Sequence, residues 1–423
     1  MNLTLNKKIK KIDLLLCYQC VLAISSVLIF GTNLATYLFD IGIAPSPTTW
    51  IICFGIAAIP LLFSFSSRYK YISLNSVSWC GLYLVVSLVS FLFSDQSEII
   101  SQIFRNRILS VFFLLLNLLL FSKSKNIEIW VRRTIFVVTI ISIANLFYEF
   151  MYPSIFSGLT GLNDSGRPAG FYENPNTAGC AVLLGLIFSI SILPLKYRLL
   201  FLTICGVGAF LTFSRGAMIG WIIITVIFTV KHIIPRRQVI YGILALLGIL
   251  ISLGISSDLI ANQLSSNFNL SNNAMTRMEF LLNPKFEFVN DDTSRVDIIP
   301  FAWRQFLESP LFGHGIGYTE IWGEIRPHNM YLMMIVEHGF LGVIILPTLV
   351  FLSIKNAQKE VKTIGLSFAI FILVWGLFSH NILEERNILL MFSLMASMNL
   401  RSQLEQWNLS SQTLIQKNQG LRL

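Results

Sequence analysis

The chain has 423 residues, of which only 13% are charged and 54% apolar, and its formal net charge is +9 at pH 7. Soluble domains carry roughly twice that share of charge, and a surface so poor in ionic groups cannot be kept in water. A soluble enzyme is therefore excluded and a polytopic membrane protein indicated. The basic excess lies in short segments between apolar runs, which marks it as topology-setting charge and not a nucleic-acid footprint.

Lys7, Lys8, Lys10 and Lys11 precede a first apolar run that extends to Phe39 without a clear small-residue cleavage site, so it reads as a retained helix and not as a signal peptide. Apolar runs between charge clusters predict about twelve spans, over about 13–39, 49–66, 74–94, 107–121, 134–151, 176–194, 198–214, 216–231, 239–256, 329–353, 363–381 and 387–400. The expected fold class is all-α, a polytopic membrane protein of about 12 transmembrane helices with a large, partly folded outer loop. Its expected organisation is nine spans within 1–256, with a smaller outer loop near 152–175, then the large loop over 257–328, three spans within 329–400 and an inner tail over 401–423. Cys17, Cys20, Cys53, Cys80, Cys180 and Cys205 all lie in or beside apolar runs, where a disulfide framework or zinc ribbon is not expected.

With the N-terminus inside, about two thirds of the 31 Lys and Arg fall on inner segments, so the positive-inside rule puts both termini in the cytoplasm. The inner segments mix the two residue types, whereas the outer ones carry arginine almost alone, Lys285 being the exception. Topology needs only positive charge, so an arginine-rich outer face suggests bidentate recognition of phosphate or carboxylate.

Three outer sites pair a basic residue with the start of a span. In Gly166-Arg167-Pro168 through Asn174-Pro175-Asn176, Asn174 is a natural N-cap and Pro175 a natural first helical residue, and Arg167 could meet an anion there. Arg215 in Ser214-Arg215-Gly216 interrupts an otherwise uncharged stretch, a costly placement that marks a functional candidate, with interfacial snorkelling as the plainer reading. In Arg326-Pro327-His328-Asn329, Pro327 predicts a helix start with His328 in its first turn, where the dipole would hold the imidazole neutral and able to act as general base. Glu337 and His338 lie further down that span and read as a buried polar pair. No HExxH, Walker loop or GxSxG is present, and Asp291-Asp292 reads as solvated loop.

Taken in order, Asn174-Pro175-Asn176, Ser214-Arg215-Gly216, Ser294-Arg295 followed by Trp303, Pro310 to Gly317 and Pro327-His328-Asn329-Met330-Tyr331-Leu332 before Glu337-His338-Gly339 form a set that resembles the O-antigen ligase and polymerase superfamily over roughly 160–345. The resemblance implies a membrane glycosyltransferase, without metal or cofactor, in the cell inner membrane. It would move a glycan from an undecaprenyl-diphosphate-linked donor to an acceptor hydroxyl on the periplasmic side, so that the outer loops are periplasmic. By motif, Arg215 and Arg295 would hold the donor diphosphate, with Arg167 and Arg304 matching less closely. His328 would activate the acceptor, and Asn174, Asn176 and Asn329 would support the site. The expected partners are the lipid-linked donor, an acceptor that is lipid A-core or another lipid-linked glycan, and membrane lipids, with no nucleic acid. Ligation of O-antigen in lipopolysaccharide biosynthesis is the preferred activity, with an O-antigen or exopolysaccharide polymerase as the alternative. A lipid or polysaccharide flippase fits less well, because the basic residues gather at the outer rim and not at the midplane.

Overall fold

The computed structural model describes residues 14–63, 72–95, 97–122, 124–152, 167–172, 174–240, 293–322 and 327–420. Among them no strand occurs, and the regular elements are helices. In chain order these are α1 (Leu14–Gly31), α2 (Leu34–Asp40), α3 (Pro47–Leu62), α4 (Leu74–Leu92), α5 (Glu98–Phe121), α6 (Lys125–Met151), α7 (Pro175–Ser189), α8 (Leu195–Leu211), α9 (Arg215–Val230), α10 (Thr293–Glu308), α11 (Met330–His338), α12 (Phe340–Ile354), α13 (Lys359–Trp375) and α14 (Arg386–Gly420). Among the described residues, five helical segments are long and apolar enough to cross a membrane, namely α1, α4, α5, α6 and Pro175–Ile192, and α3, α9 and α12 are shorter and apolar. The described residues are helical, as expected from composition, with helices apolar enough to span a membrane.

Free N–H groups at a helix start are expensive where water is scarce, and small polar residues remove that cost locally. Ser46, Ser73, Ser97, Ser124 and Ser214 each accept a backbone N–H at the start of α3, α4, α5, α6 and α9. Asn174 and Asn329 do the same for α7 and α11. At the centre stands α7, with Val182, Leu184, Leu186 and Phe188 all 0% exposed. Two glycines let neighbours reach it: a Cβ on Gly179 would meet Ala217 at 2.6 Å, and one on Gly185 would run into Thr139. Small residues at such crossings are how apolar helices approach closely where lipid offers no hydrophobic drive.

Several predicted boundaries need correction. The first run breaks at Asn33, which takes a left-handed φ of 59° between α1 and α2. The span predicted over 107–121 is the longer α5, capped by Ser97 at Glu98, because Arg107 is buried and ion-paired inside the bundle and does not mark a helix end. The span over 134–151 begins at Lys125, because Glu128 pairs with Arg132 and Arg401 and absorbs the charge. What reads as one span over 329–353 is two helices that break at Gly339, whose φ of 62° no side chain favours. The last predicted span lies within α14, whose helix continues to Gly420 through the segment read as the inner tail. Most of the span over 239–256, much of both outer loops and Asp291-Asp292 lie outside the described residues.

The charged contacts sort to two ends of the bundle. At one end Lys125 pairs with Glu405 at 3.4 Å, Arg132 with Glu360 at 3.3 Å, and the Arg198 guanidinium donates to the Ile233 carbonyl at 2.9 Å. These are the segments that the charge count assigns to one side. The starts of α5, α7, α9, α11 and α14 gather at the opposite end, through contacts that define the candidate site.

Candidate active site

The site is built around the connection 376–385, between α13 and α14. The Met330 N–H, at the start of α11, donates to the Gly376 carbonyl at 2.8 Å, and the Tyr331 hydroxyl donates to the Leu373 carbonyl at 2.7 Å. Gly216, after Arg215, packs so closely that a Cβ would meet the Trp375 ring at 3.1 Å and Phe378 at 3.2 Å. Thr177, in the first turn of α7, donates its hydroxyl to Glu385 at 3.2 Å. Three helix starts, each carrying partial positive charge, thus meet one connection.

The sequence-predicted residues fall as follows. Arg215 is the first residue of α9 and exposed, behind a Ser214 hydroxyl that accepts the Ala217 N–H. Arg167, half-buried, donates to the Phe213 carbonyl at 3.4 Å, which brings it beside the start of α9. His328 is exposed and its ring lies 5.4 Å from that of His380. It does not sit in the first turn of the helix: Asn329 is the N-cap, its carboxamide oxygen accepting the N–H groups of Tyr331 at 2.9 Å and Leu332 at 3.2 Å, so His328 precedes the cap. The proline signal misplaced it by two residues because the asparagine side chain is the better cap. Asn174 caps α7, accepting the Asn176 N–H at 2.8 Å. The structure therefore brings Arg167, Arg215 and His328 to one end of the bundle.

Arg295 and Arg304 belong to α10, a helix laid on α11 through Ala302 and Phe306, which pack against Ile335 and Val336. Arg304 is exposed on this helix. Of Arg295 only the backbone, near the start of α10, is described.

Residues 310–317 have a structural logic that the motif hides. The His314 N–H donates to the Val336 carbonyl at 2.9 Å and the Gly315 N–H to the Glu337 carbonyl at 3.1 Å. A Cβ on Gly313 would strike the Glu337 backbone, and one on Gly339 would meet the Pro310 carbonyl oxygen at 2.5 Å. The two glycine-bearing stretches are thus a backbone-to-backbone lock that holds the outer segment on the end of α11. His314 serves it: its Nε2–H donates to the Gln305 carbonyl at 2.7 Å and its ring stacks on Tyr318.

Beneath the lock lies a charged cluster: Glu337 and His338 are the buried polar pair expected from the sequence, and Arg107 is the member that the sequence did not mark. Arg107, 1% exposed, donates to Glu337 Oε2 at 2.5 Å, and its other terminal nitrogen meets His338 Nε2 at 2.6 Å. Arginine has only donors, so that ring nitrogen presents a lone pair. Glu337 Oε1 accepts from the Thr319 hydroxyl at 3.0 Å, and Ser90 donates to the Glu337 carbonyl at 3.2 Å. Glu384, half-buried in the 376–385 connection, has its carboxyl pKa raised by burial, with Arg107 pulling it back and Glu337 raising it. In the sequence Arg107 was one more outer arginine beyond the motifs, and only its pairing with Glu337 distinguishes it. Arg386, which donates to the Ser110 hydroxyl at 2.6 Å, was likewise read only as outer charge.

These features define an integral membrane protein whose helical bundle carries, at one end, a basic rim with a histidine beside the start of a capped helix. Residues 199–347 match the family model described as O-Antigen ligase, so this stretch of the chain is similar to that family. The matched stretch contains Arg215, Arg295, Arg304 and His328, and it leaves out Arg107, Arg167 and His380. A comparison with curated proteins finds no match. The match indicates a membrane glycosyltransferase of the O-antigen ligase type.

Proposed function

We propose that the protein transfers a glycan from an undecaprenyl-diphosphate-linked donor to a hydroxyl of lipid A-core, at the periplasmic face of the inner membrane. The observation that carries this reading is the convergence of Arg167, Arg215 and His328 around the 376–385 connection. In the reaction the acceptor oxygen bonds to the anomeric carbon while the bond to the diphosphate oxygen breaks, inverting that centre. Negative charge develops on the departing oxygen, and guanidinium groups fixed at a helix start are suited to stabilise it. Arg215 is assigned to that role, with Arg295, Arg167 and Arg304 as further diphosphate contacts. His328 takes the proton of the attacking hydroxyl. In this reading about twelve helices span the membrane, both termini are cytoplasmic, and the outer loops near 152–175 and 257–328 are periplasmic.

The test is transfer by the purified protein in detergent, with a labelled donor and no ion gradient. Label should appear on lipid A-core supplied alone. Label found only on a second lipid-linked glycan would make the protein a polymerase, and movement across vesicles without transfer would make it a flippase. In the same assay Arg215→Lys should stay in the membrane yet lose most of its turnover, because a point charge cannot reproduce the guanidinium fork. Near-normal turnover would reduce Arg215 to an interface anchor.

Orientation is checked separately, by single-cysteine labelling in a background lacking the six native cysteines. Cysteines at Lys125 and Lys359 should be protected in intact cells, and those at Asp164 and Asp291 should react with an impermeant reagent. The opposite pattern would overturn the periplasmic placement of the site.

A further inference from the structure

The 376–385 connection is anchored more firmly than a linker between two helices requires. Ile382 and Leu383 are buried at 0% and 1% exposure, the Gly376 carbonyl holds the start of α11, and Thr177 and Ser110 hold Glu385 and Arg386. Between these anchors stands His380, half-buried, its ring centroid 5.4 Å from that of His328 and the two planes inclined at 56°. A side chain on a connection fixed at both ends is held in place by its neighbours. A direct N–H···N bond or one bridging water can span that ring separation. Two imidazolium ions so close would repel, so the pair favours holding a single added proton between them. The same segment carries Glu384, Glu385 and Arg386, with Arg107, Glu337 and Glu320 acting on Glu384, and the start of α9 with Arg215 packs on the segment through Gly216.

We propose that His380 is the proton-relay partner of His328. The proposal rests on the reading of His328 as the base, and His380 acts through it as a positioning residue. When the acceptor oxygen bonds to the anomeric carbon, the electron pair of the broken bond leaves with the diphosphate and the hydroxyl proton goes to His328. An imidazolium left on this basic rim opposes the next turnover through like-charge repulsion. His328 passes the proton to His380, which releases it to water, and both rings finish with the protons they began with.

The test uses the full-length protein with the labelled undecaprenyl-diphosphate-linked glycan as donor and lipid A-core as acceptor. His380→Ala should lower kcat by about tenfold or more while the donor KM stays close to that of the parent. Added imidazole should restore turnover to this variant and leave the parent unaffected. His380→Gln, which keeps a hydrogen-bonding group but cannot carry the proton, should resemble His380→Ala. An unchanged kcat, a loss that imidazole does not rescue, a raised donor KM or full activity in His380→Gln would each overturn the relay. His328→Ala is assayed in parallel: if it keeps its rate, the base assignment fails, whereas an inactive His328→Ala beside fully active His380 variants removes the relay alone.

Discussion

His328→Ala is expected to lower glycan transfer by roughly 10²- to 10⁴-fold, the range for loss of a general base, while donor affinity falls much less. His328 stands just before the Asn329 cap, outside the helix whose start it precedes, so it can lose its imidazole without removing the cap. Arg215→Ala should weaken donor binding and turnover together. The sign of the pH effect follows from the role: only the neutral ring accepts a proton, so wild-type turnover should fall as pH drops through the histidine's pKa. That acidic limb should be missing from the residual activity of His328→Ala. Equal loss of donor binding in the two alanine variants would make His328 a phosphate contact and send the search for the base elsewhere.

Arg107→Ala should have the largest effect on stability, because it leaves Glu337 as an unpaired charge in a site only 2% exposed. Breaking a buried pair from one side costs about 3–5 kcal/mol, whereas replacing both partners by apolar residues of similar volume is often close to neutral. A double-mutant cycle with Arg107→Met and Glu337→Met should therefore show each single change strongly destabilising in thermal unfolding and the double change much less so. Additive losses would mean that the Arg107–Glu337 contact at 2.5 Å contributes no coupling. Glu337 also fastens the glycine lock through its backbone, so the single variants should loosen residues 310–319 and raise proteolysis there before the bundle unfolds.

By itself the sequence determined what depends on local pattern. Low charge and long apolar runs required a helical membrane protein, since only helices satisfy their own backbone in lipid among chains of this pattern. The cap at Asn174 was legible as well, because a capping side chain bonds a backbone group two or three residues away. The ordered motifs pointed to the family that residues 199–347 match. Only the tertiary structure decided what depends on partners distant in the chain. Arg107 reads as the end of a span until Glu337, 230 residues later, is found against it. His380 is an isolated histidine in the sequence, and its place beside His328 follows from the Met330–Gly376 and Thr177–Glu385 contacts. The break at Gly339 does not stand out in hydropathy because both sides are predominantly apolar, and the close approach of residues 310–311 is what requires it. Charge buried by pairing and backbone bent by packing leave no periodic trace, because their energies are set by groups that the fold, and not the local sequence, brings together.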